Sequence, residues 1–204
     1  MGDTTLLPAV AVAIPLLASV LIPLVGRHEN IREAVTIVAA TAMLGSVLAM
    51  LPSILSGNQI ALSLLPMVPG GDLALRVDAF GMVFALTAAI LWLLNSFYAI
   101  GYMRSLQEHA QTRFYFCFAV AIAAAVGIAF SENLLTLFIF YEVLTIITYP
   151  LVVHAETPEA MKAGRKYLAY LLIGGVFLLA ATILTYILTG TTTFVPGGFL
   201  AGSG

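Results

Sequence analysis

Long apolar runs separated by short polar segments dominate the pattern along this chain. A transmembrane helix needs about 20 mostly apolar residues to cross about 30 Å of hydrocarbon. Six such runs occur, at residues 6–25, 34–55, 80–100, 114–130, 134–153 and 167–188. The first run is too long for the apolar region of a signal peptide and has no basic residue before it, so it is read as a retained span. The pattern predicts an all-α polytopic membrane protein, with six transmembrane helices in one transmembrane domain.

The polar connections predict further elements. Between the second and third runs, short apolar stretches at residues 60–65 and 73–77 flank a turn-forming segment that contains Pro66, Pro69, Gly70 and Gly71. This arrangement is typical of a small β-hairpin. Before the sixth run, Thr157 is suited to cap a helix and Pro158 to occupy its first position, so the sixth helix is expected to begin there. Residues 189–204, which include Pro196 and several glycines, are predicted to form a loop.

Composition supports the membrane interpretation. The chain is 61% hydrophobic and 9% charged, whereas soluble domains are about 25% charged, and its mean hydropathy is +1.07. These values exclude a soluble globular protein. Eight Lys and Arg residues stand against ten Asp and Glu residues, which excludes a strongly basic nucleic-acid-binding protein. The single cysteine, Cys117, cannot form an internal disulfide or a cysteine-rich metal cage.

The basic residues predict the orientation in the membrane, because Lys and Arg in short loops are retained on the cytoplasmic side. Seven of the eight lie in connections that share one side: Arg27, Arg32, Arg104, Arg113, Lys162, Arg165 and Lys166. Only Arg76 lies on the opposite side. We therefore expect both termini and the hairpin on the outer side of the plasma membrane, with the three basic connections in the cytoplasm.

Glu142 is the one charged residue inside an apolar run, near the middle of the fifth. Placing an ionisable side chain at this depth costs about 3 kcal/mol, so such a residue faces a protein interior or a hydrated path. The position predicts a group that binds and releases protons. The alternative is a neutral glutamic acid that hydrogen-bonds to a neighbouring helix.

The predicted fifth helix places polar groups beside Glu142. At 100° per residue, Tyr149 lies about 20° from Glu142 and Thr145 about 60° from it, which predicts one polar face. Pro150 removes an amide and leaves the carbonyl of Ile146 without its helical partner, so a helix break is predicted there.

Other candidates lie near the predicted sixth helix and in the loops. Lys166 and Tyr170, one turn apart, either line a cytoplasmic opening of the proton path or, for Lys166, extend to the interface. Gly174 and Gly175 are expected to permit close helix packing. His28, His109 and His154 are predicted to be solvated residues in loops or at the edge of a span, so none is expected to ligate haem. No metal site and no cofactor site are predicted.

Several segments carry a resemblance to a known family. They are FSENLLTLFIFYE at residues 130–142, TYPL at 148–151 and AGRKYL at 163–168, with VD at 77–78, GYM at 101–103 and RFY at 113–115 upstream. The chain resembles the antiporter-like membrane subunits shared by Mrp-type cation/proton antiporters, membrane-bound hydrogenases and respiratory complex I, the NADH:quinone oxidoreductase. The resemblance extends over nearly the whole chain and corresponds to the first six helices of the family.

The resemblance implies a role for Glu142 and a set of partners. Glu142 stands at the position of the family's fifth-helix glutamate, which works with a lysine on the seventh helix to move protons. That lysine lies beyond the sixth helix, so we expect either a split subunit or a fragment of a longer one, with the lysine supplied by another segment. Expected partners are other membrane subunits, the lipid bilayer and protons, with sodium or potassium as further candidate ions, and no nucleic acid.

The leading functional hypothesis is a proton-translocating, antiporter-like subunit of a multisubunit membrane complex. That complex is either a cation/proton antiporter or an ion-pumping oxidoreductase, and no bond chemistry is expected in this chain itself. One alternative is a self-contained small secondary transporter that uses the lone intramembrane glutamate. Another is a passive membrane anchor for a redox enzyme.

Overall fold

The protein is a bundle of long helices with a small sheet at one end. The computed structural model describes residues 5–68, 71–195 and 197–199. The described part contains six helices: α1 (Leu7–Leu24), α2 (Glu29–Leu55), α3 (Ala79–Ser105), α4 (Gln111–Ala129), α5 (Leu134–Val152) and α6 (Pro158–Thr189). Each of these six is long and apolar enough to cross a membrane. The predicted number of spans and the all-α class are confirmed.

Three helices extend well beyond the apolar runs that predicted them. The helix α2 begins five residues before its run, α3 ends five residues after its run, and α6 begins nine residues before its run. At α6 the predicted start is correct, because the Thr157 side chain accepts a hydrogen bond from the Ala160 amide at 3.1 Å and Pro158 is the first helical residue. At 1.5 Å per residue, the 32 residues of α6 are about 48 Å long, which exceeds the hydrocarbon thickness.

The predicted hairpin is present between α2 and α3. Strand β1 (Ile60–Val68) pairs antiparallel with β2 (Gly71–Val77), with Ile60 opposite Val77 and Val68 opposite Gly71. Pro66, expected in the turn, lies within β1 opposite Asp72, as an edge strand permits. Pro69 and Gly70, the remaining predicted turn residues, lie outside the described residues, as do Pro196 and residues 200–204 of the tail.

The hairpin anchors two other segments of the chain. The Arg76 amide donates to the Phe130 carbonyl at 2.6 Å, and the Glu132 amide donates to the Ala74 carbonyl at 3.0 Å, so the connection between α4 and α5 lies along β2. The residues after α6 join the same connection, because the Leu134 amide donates to the Thr192 carbonyl at 2.9 Å. The start of α5 is therefore fixed to the sheet by main-chain hydrogen bonds.

The buried core lies among the first four helices. Helix α1 packs against α2 and α4, and α3 packs against α2 and α4. Many of the fully buried positions are alanines, which allow helices to approach closely: Ala11, Ala40, Ala85, Ala89, Ala119 and Ala123. Larger buried side chains, including Trp92 and Met43, fill the remaining space.

Helices α5 and α6 form a second layer attached to this core. Helix α5 packs on α4, where the ring of Phe140 occupies the space in which a Cβ at Gly127 would lie. Helix α6 packs mainly on α5. The side of α6 turned away from α5 exposes large apolar residues: Ile173, Val176, Phe177, Leu184, Ile187 and Leu188. This surface suits lipid or further membrane helices.

The basic connections lie together at the end opposite the hairpin. Arg32 at the start of α2 bonds to Gln111 at the start of α4, and Arg113 bonds to the carbonyl of His154 after α5. Arg76 lies at the other end, where it donates to the Phe194 carbonyl at 3.0 Å. The segregation of the basic residues is thus a feature of the fold, and the cytoplasmic location of their end stays a prediction.

Candidate functional site

Glu142 lies near the middle of α5. It is the ninth of the 19 residues of that helix, about 12 Å along the axis from Leu134. Its side chain is half-buried. The location within a spanning helix agrees with the sequence analysis, and the structure adds the neighbour that the carboxyl group meets.

The Glu142 carboxyl group lies directly against the backbone of α6 at Gly175. A Cβ added at Gly175 would lie less than 3.0 Å from Glu142 Oε1, closer than real Cβ contacts come, and 3.1 Å from Cδ. Gly174 is similarly close to Tyr141, since its added Cβ would be 3.2 Å from the Tyr141 hydroxyl. The expectation of close packing at these two glycines is confirmed, and Gly175 provides the space that the carboxyl group occupies.

Among the described residues, the Glu142 carboxylate has no charged partner within ion-pairing distance. None of the ion pairs among residues 5–68, 71–195 and 197–199 includes Glu142, and no hydrogen bond to its carboxylate is found there. An unpaired carboxylate at this depth is costly. A cation from outside the described part of the chain would offset that cost.

The other predicted residues of α5 lie toward the basic end of the helix. Tyr149 also contacts α6, since a Cβ at Gly164 would lie 3.1 Å from its ring, so it shares the α6-facing side with Glu142. Thr145 is 3% exposed. The prediction missed Thr148, whose hydroxyl lies 2.9 Å from the Tyr167 hydroxyl of α6. Only knowledge that α5 and α6 are neighbours could have revealed that pair.

Pro150 lies inside α5, which continues for two more residues. The predicted helix break is therefore limited to the missing amide, and the helical path is not interrupted. The helix ends at Val152, and the Val153 amide still donates to the Tyr149 carbonyl at 3.1 Å.

The structure does not bring Lys166 and Tyr170 to Glu142. Gly164 and Gly175 mark the side of α6 that faces α5. At 100° per residue, Lys166 lies about 180° and Tyr170 about 140° from Gly175 around the helix. Both side chains are exposed, Tyr170 by 76%. They can line a path only together with a further segment beside α6.

A buried ionic cluster at the basic end was missed by the sequence analysis. Arg104 Nε donates to Glu33 Oε1 at 2.9 Å, and Arg32 donates to Gln111 at 2.6 Å and to Thr112 at 3.2 Å. Arg32 and Glu33 are only 3% and 4% exposed. The apolar run that predicted α2 begins at residue 34, so these two residues were assigned to a loop, although they belong to the first turns of the helix.

The prediction of solvated histidines is wrong for His154. Its side chain is 19% exposed, and its ring stacks on that of His109 with the centroids 5.0 Å apart. Burial lowers the pKa of His154, with further lowering by His109 and Arg113. The ion pair of Arg113 with Glu156 holds the pKa of that carboxyl below its usual value. The sequence could not show that the α3–α4 and α5–α6 connections meet.

Part of the chain matches the model of a known protein family. Residues 131–196 match the family model described as "NADH:quinone oxidoreductase/Mrp antiporter, TM". The resemblance seen in the sequence is confirmed. The matched segment contains Glu142, Gly175 and the α5–α6 interface between them.

Curated relatives give the same result. "Putative antiporter subunit mnhA2" of Staphylococcus haemolyticus (strain JCSC1435) is 28% identical over 152 residues, which are 73% of this chain and 19% of that protein. The protein of the same name from Staphylococcus aureus (strain MSSA476) is 27% identical over 121 residues, which are 59% of this chain and 15% of that protein. The chain thus spans about a fifth of the length of the curated relatives that it matches.

Solved structures share the fold. A chain of the membrane-bound sulfane sulfur reductase, an archaeal respiratory membrane complex, matches with a TM-score of 0.79 and 22% identity, covering 93% of this chain and 39% of that chain. A chain of the Mrp complex from Dietzia sp. DQ12-45-1b matches with a TM-score of 0.78 and 21% identity, covering 93% and 36%. Respiratory complex I from Thermus thermophilus matches with a TM-score of 0.68 and 22% identity, covering 92% and 39%. The chain is therefore similar in sequence to antiporter-family proteins and similar in fold to subunits of these membrane complexes.

Proposed function

We propose that this chain is a proton-translocating, antiporter-like subunit of a multisubunit membrane complex, and that Glu142 binds and releases the transported proton. The observation that carries the proposal is the position of the Glu142 carboxyl group. It lies at the middle of a spanning helix, against Gly175 of α6, within the segment that matches the antiporter family. An ionisable carboxyl group inside a membrane is by default a candidate for a functional site.

The absence of a charged partner for Glu142 among the described residues supports a role for a cation from another segment. A cation placed near a carboxylate favours the ionised form, and its withdrawal in a poorly hydrated setting favours the protonated form. The described residues supply no such cation to Glu142. We infer that a basic residue on another segment, the lysine that the family resemblance implies, alternates between positions near to and far from Glu142 and so loads and unloads it.

Hydroxyl groups support a path from Glu142 toward the basic end. Thr148 and Tyr149 follow Glu142 by six and seven residues, which places them about 10 Å along the helix axis. The Thr148 hydroxyl is already paired with that of Tyr167 across the interface. Pro150 has no amide for the carbonyl of Ile146. These groups can hold waters between Glu142 and the predicted cytoplasmic side. Lys166 and Tyr170, on the far side of α6, would line a cytoplasmic opening only together with a further segment packed beside α6.

The surface of α6 supports partners within the membrane. Its large apolar residues are exposed on the side away from α5, and the matched structures are of multisubunit complexes that include an Mrp complex and respiratory complex I. We propose that other membrane subunits and lipid cover this side in the plasma membrane. Protons are the proposed transported ion, with sodium or potassium as the exchanged cation in an antiporter complex.

The test is Glu142→Gln in the complete complex, with transport measured as dye-reported acidification of inverted membrane vesicles. We expect transport to fall to the background level while the complex assembles normally on a native gel. The matched control is Glu159→Gln, the same chemical change at an exposed residue in the first turn of α6, which should transport at the unmodified rate. Normal transport by Glu142→Gln would overturn the role of this residue. Transport by the purified chain alone in liposomes would instead favour a self-contained transporter.

A further inference from the structure

Two connections meet at the basic end of the bundle and bring three potential metal ligands together. Glu108 and His109 precede α4, and His154 follows α5. The Glu108 carboxylate oxygen Oε2 lies 3.6 Å from His109 Nδ1 and 3.9 Å from His154 Nε2. One ligand atom from each of the three residues lies within 4.8 Å of the others.

These distances are near those of an occupied tetrahedral site. Zinc binds imidazole nitrogen and carboxylate oxygen at about 2.1 Å, and neighbouring ligand atoms in a tetrahedron are then about 3.4 Å apart. The two distances to Glu108 exceed this by a few tenths of an ångström. The ligand nitrogens of His109 and His154 lie within 4.8 Å of each other, so side-chain rotations that also draw these two rings together would close the site. A water molecule can take the fourth position, as in zinc sites with three protein ligands.

His154 supplies an independent reason to expect a ligand. Both of its ring nitrogens are buried and have no hydrogen-bond partner among the described residues. Buried polar atoms without partners are rare and costly. A metal ion on Nε2 would satisfy one of them, and neutral imidazole is the form that binds metal ions.

The local charges and backbone accommodate a cation. Arg113 donates from its NH2 group to the His154 carbonyl at 3.2 Å and is paired with Glu156, so its charge is offset. Gln107, Ala110 and Glu156 are the non-glycine residues with positive φ in the described part of the chain, at 51°, 50° and 54°. All three lie within two residues of a proposed ligand, and such unfavourable conformations concentrate at functional sites.

We propose that Glu108, His109 and His154 form a binding site for a divalent transition-metal ion, with Zn²⁺ as the best match to two imidazole nitrogens and one carboxylate. The bound ion would join the α3–α4 connection to the α5–α6 connection. Helix α5 is fixed at its other end by the hairpin, so the metal would fix both ends of the helix that carries Glu142. The site does not depend on the proposed transport function.

Metal binding by the full-length protein in detergent tests this proposal. Co²⁺ serves as the spectroscopic probe, because its visible absorption is strong in a tetrahedral site and weak in an octahedral one, and Zn²⁺ is then used to displace it. We expect one tetrahedral Co²⁺ per chain, displaced by Zn²⁺. For His154→Ala, we expect at least 10-fold weaker binding. The matched control is His28→Ala, which removes an exposed histidine from the α1–α2 connection and should leave binding unchanged.

A second variant keeps the test decisive if His154→Ala does not fold. Glu108→Gln removes the anionic ligand with little change in volume, and circular dichroism checks that its helices are intact. Weaker Co²⁺ binding by folded Glu108→Gln supports the site. Unchanged affinity in the folded variants, or a weak octahedral spectrum in the unmodified protein, would overturn it.

Discussion

Replacement of Gly175 by alanine should displace the Glu142 carboxyl group and leave the Glu142 residue itself unchanged. The new methyl group would occupy the space now held by Oε1, which would have to retreat by about 1.4 Å to reach 3.4 Å, the lower limit of ordinary contact. The carboxyl group is the end of a flexible side chain. It can therefore move by rotation at a cost of about 0.5–1.5 kcal/mol, without separation of the helices.

We therefore expect Gly175→Ala to fold and assemble, but to transport protons poorly. In enzymes, a displacement of about 1 Å at a reacting group can reduce the rate by about 10²-fold. By analogy, proton transport in vesicles should fall by about 10-fold or more when normalised to the amount of assembled complex. Glu142 itself is unchanged in this variant, so the loss would report on where the carboxyl group lies.

The same substitution at Gly164 provides the matched control. Gly164 lies on the same side of α6, but its added Cβ would meet Val153 and Tyr149 in place of Glu142. Gly164→Ala should therefore lower the thermal stability at least as much as Gly175→Ala, while transport per assembled complex falls less than in Gly175→Ala, because Glu142 does not have to move. The reasoning fails if Gly175→Ala transports normally, or if both variants lose transport to the same extent.

Two further predictions concern stability, each measured by thermal unfolding in detergent. Glu33→Ala leaves Arg104, and Arg32 at 3.9 Å from Glu33 Oε1, without this carboxylate. Because Arg104 is 43% exposed, we expect a loss of about 2–3 kcal/mol, below the range for a fully buried pair. Glu29→Ala, at an exposed position one turn earlier, should cost less than about 0.5 kcal/mol, and equal losses would exclude the buried pair as the cause. Gly127→Ala forces a methyl group into the aromatic ring that packs on it and should cost about 1–3 kcal/mol. In contrast, Gly101→Ala meets nothing within 4 Å and should be neutral or stabilising by up to about 1 kcal/mol; a neutral Gly127→Ala would contradict the tight α4–α5 contact.

The sequence predicted the elements well because lipid imposes a simple rule on spanning segments. Every backbone group must be paired within the segment, and every spanning helix must be apolar over about 20 residues. The ends of α2 and α3 were misjudged for a specific reason. Glu33 and Arg104 are charged, but they neutralise each other across the two helices, so the helices continue through residues that hydropathy assigns to loops.

The candidate site was only partly predictable. Helical periodicity correctly placed Glu142 and Tyr149 on one side of α5, because that relation depends on a single helix. The contacts with Gly175 and Tyr167, and the approach of His109 to His154, depend on which helices are neighbours. No local pattern in one sequence contains that information.

The main-chain bonds at the hairpin end limit how α5 and α6 can move. The amide of Leu134, the first residue of α5, donates to the Thr192 carbonyl, and the Phe194 amide donates to the Glu132 carbonyl at 3.0 Å. These two hydrogen bonds join the start of α5 to the segment that follows α6. At the opposite end, a connection of five residues joins the two helices. A shift of α6 along the axis of α5 would break these two hydrogen bonds. A tilt of α6 that pivots at these hydrogen bonds would leave them intact. Rearrangements around Glu142 are therefore expected to be tilts and side-chain rotations, with the register of Glu142 on Gly175 preserved.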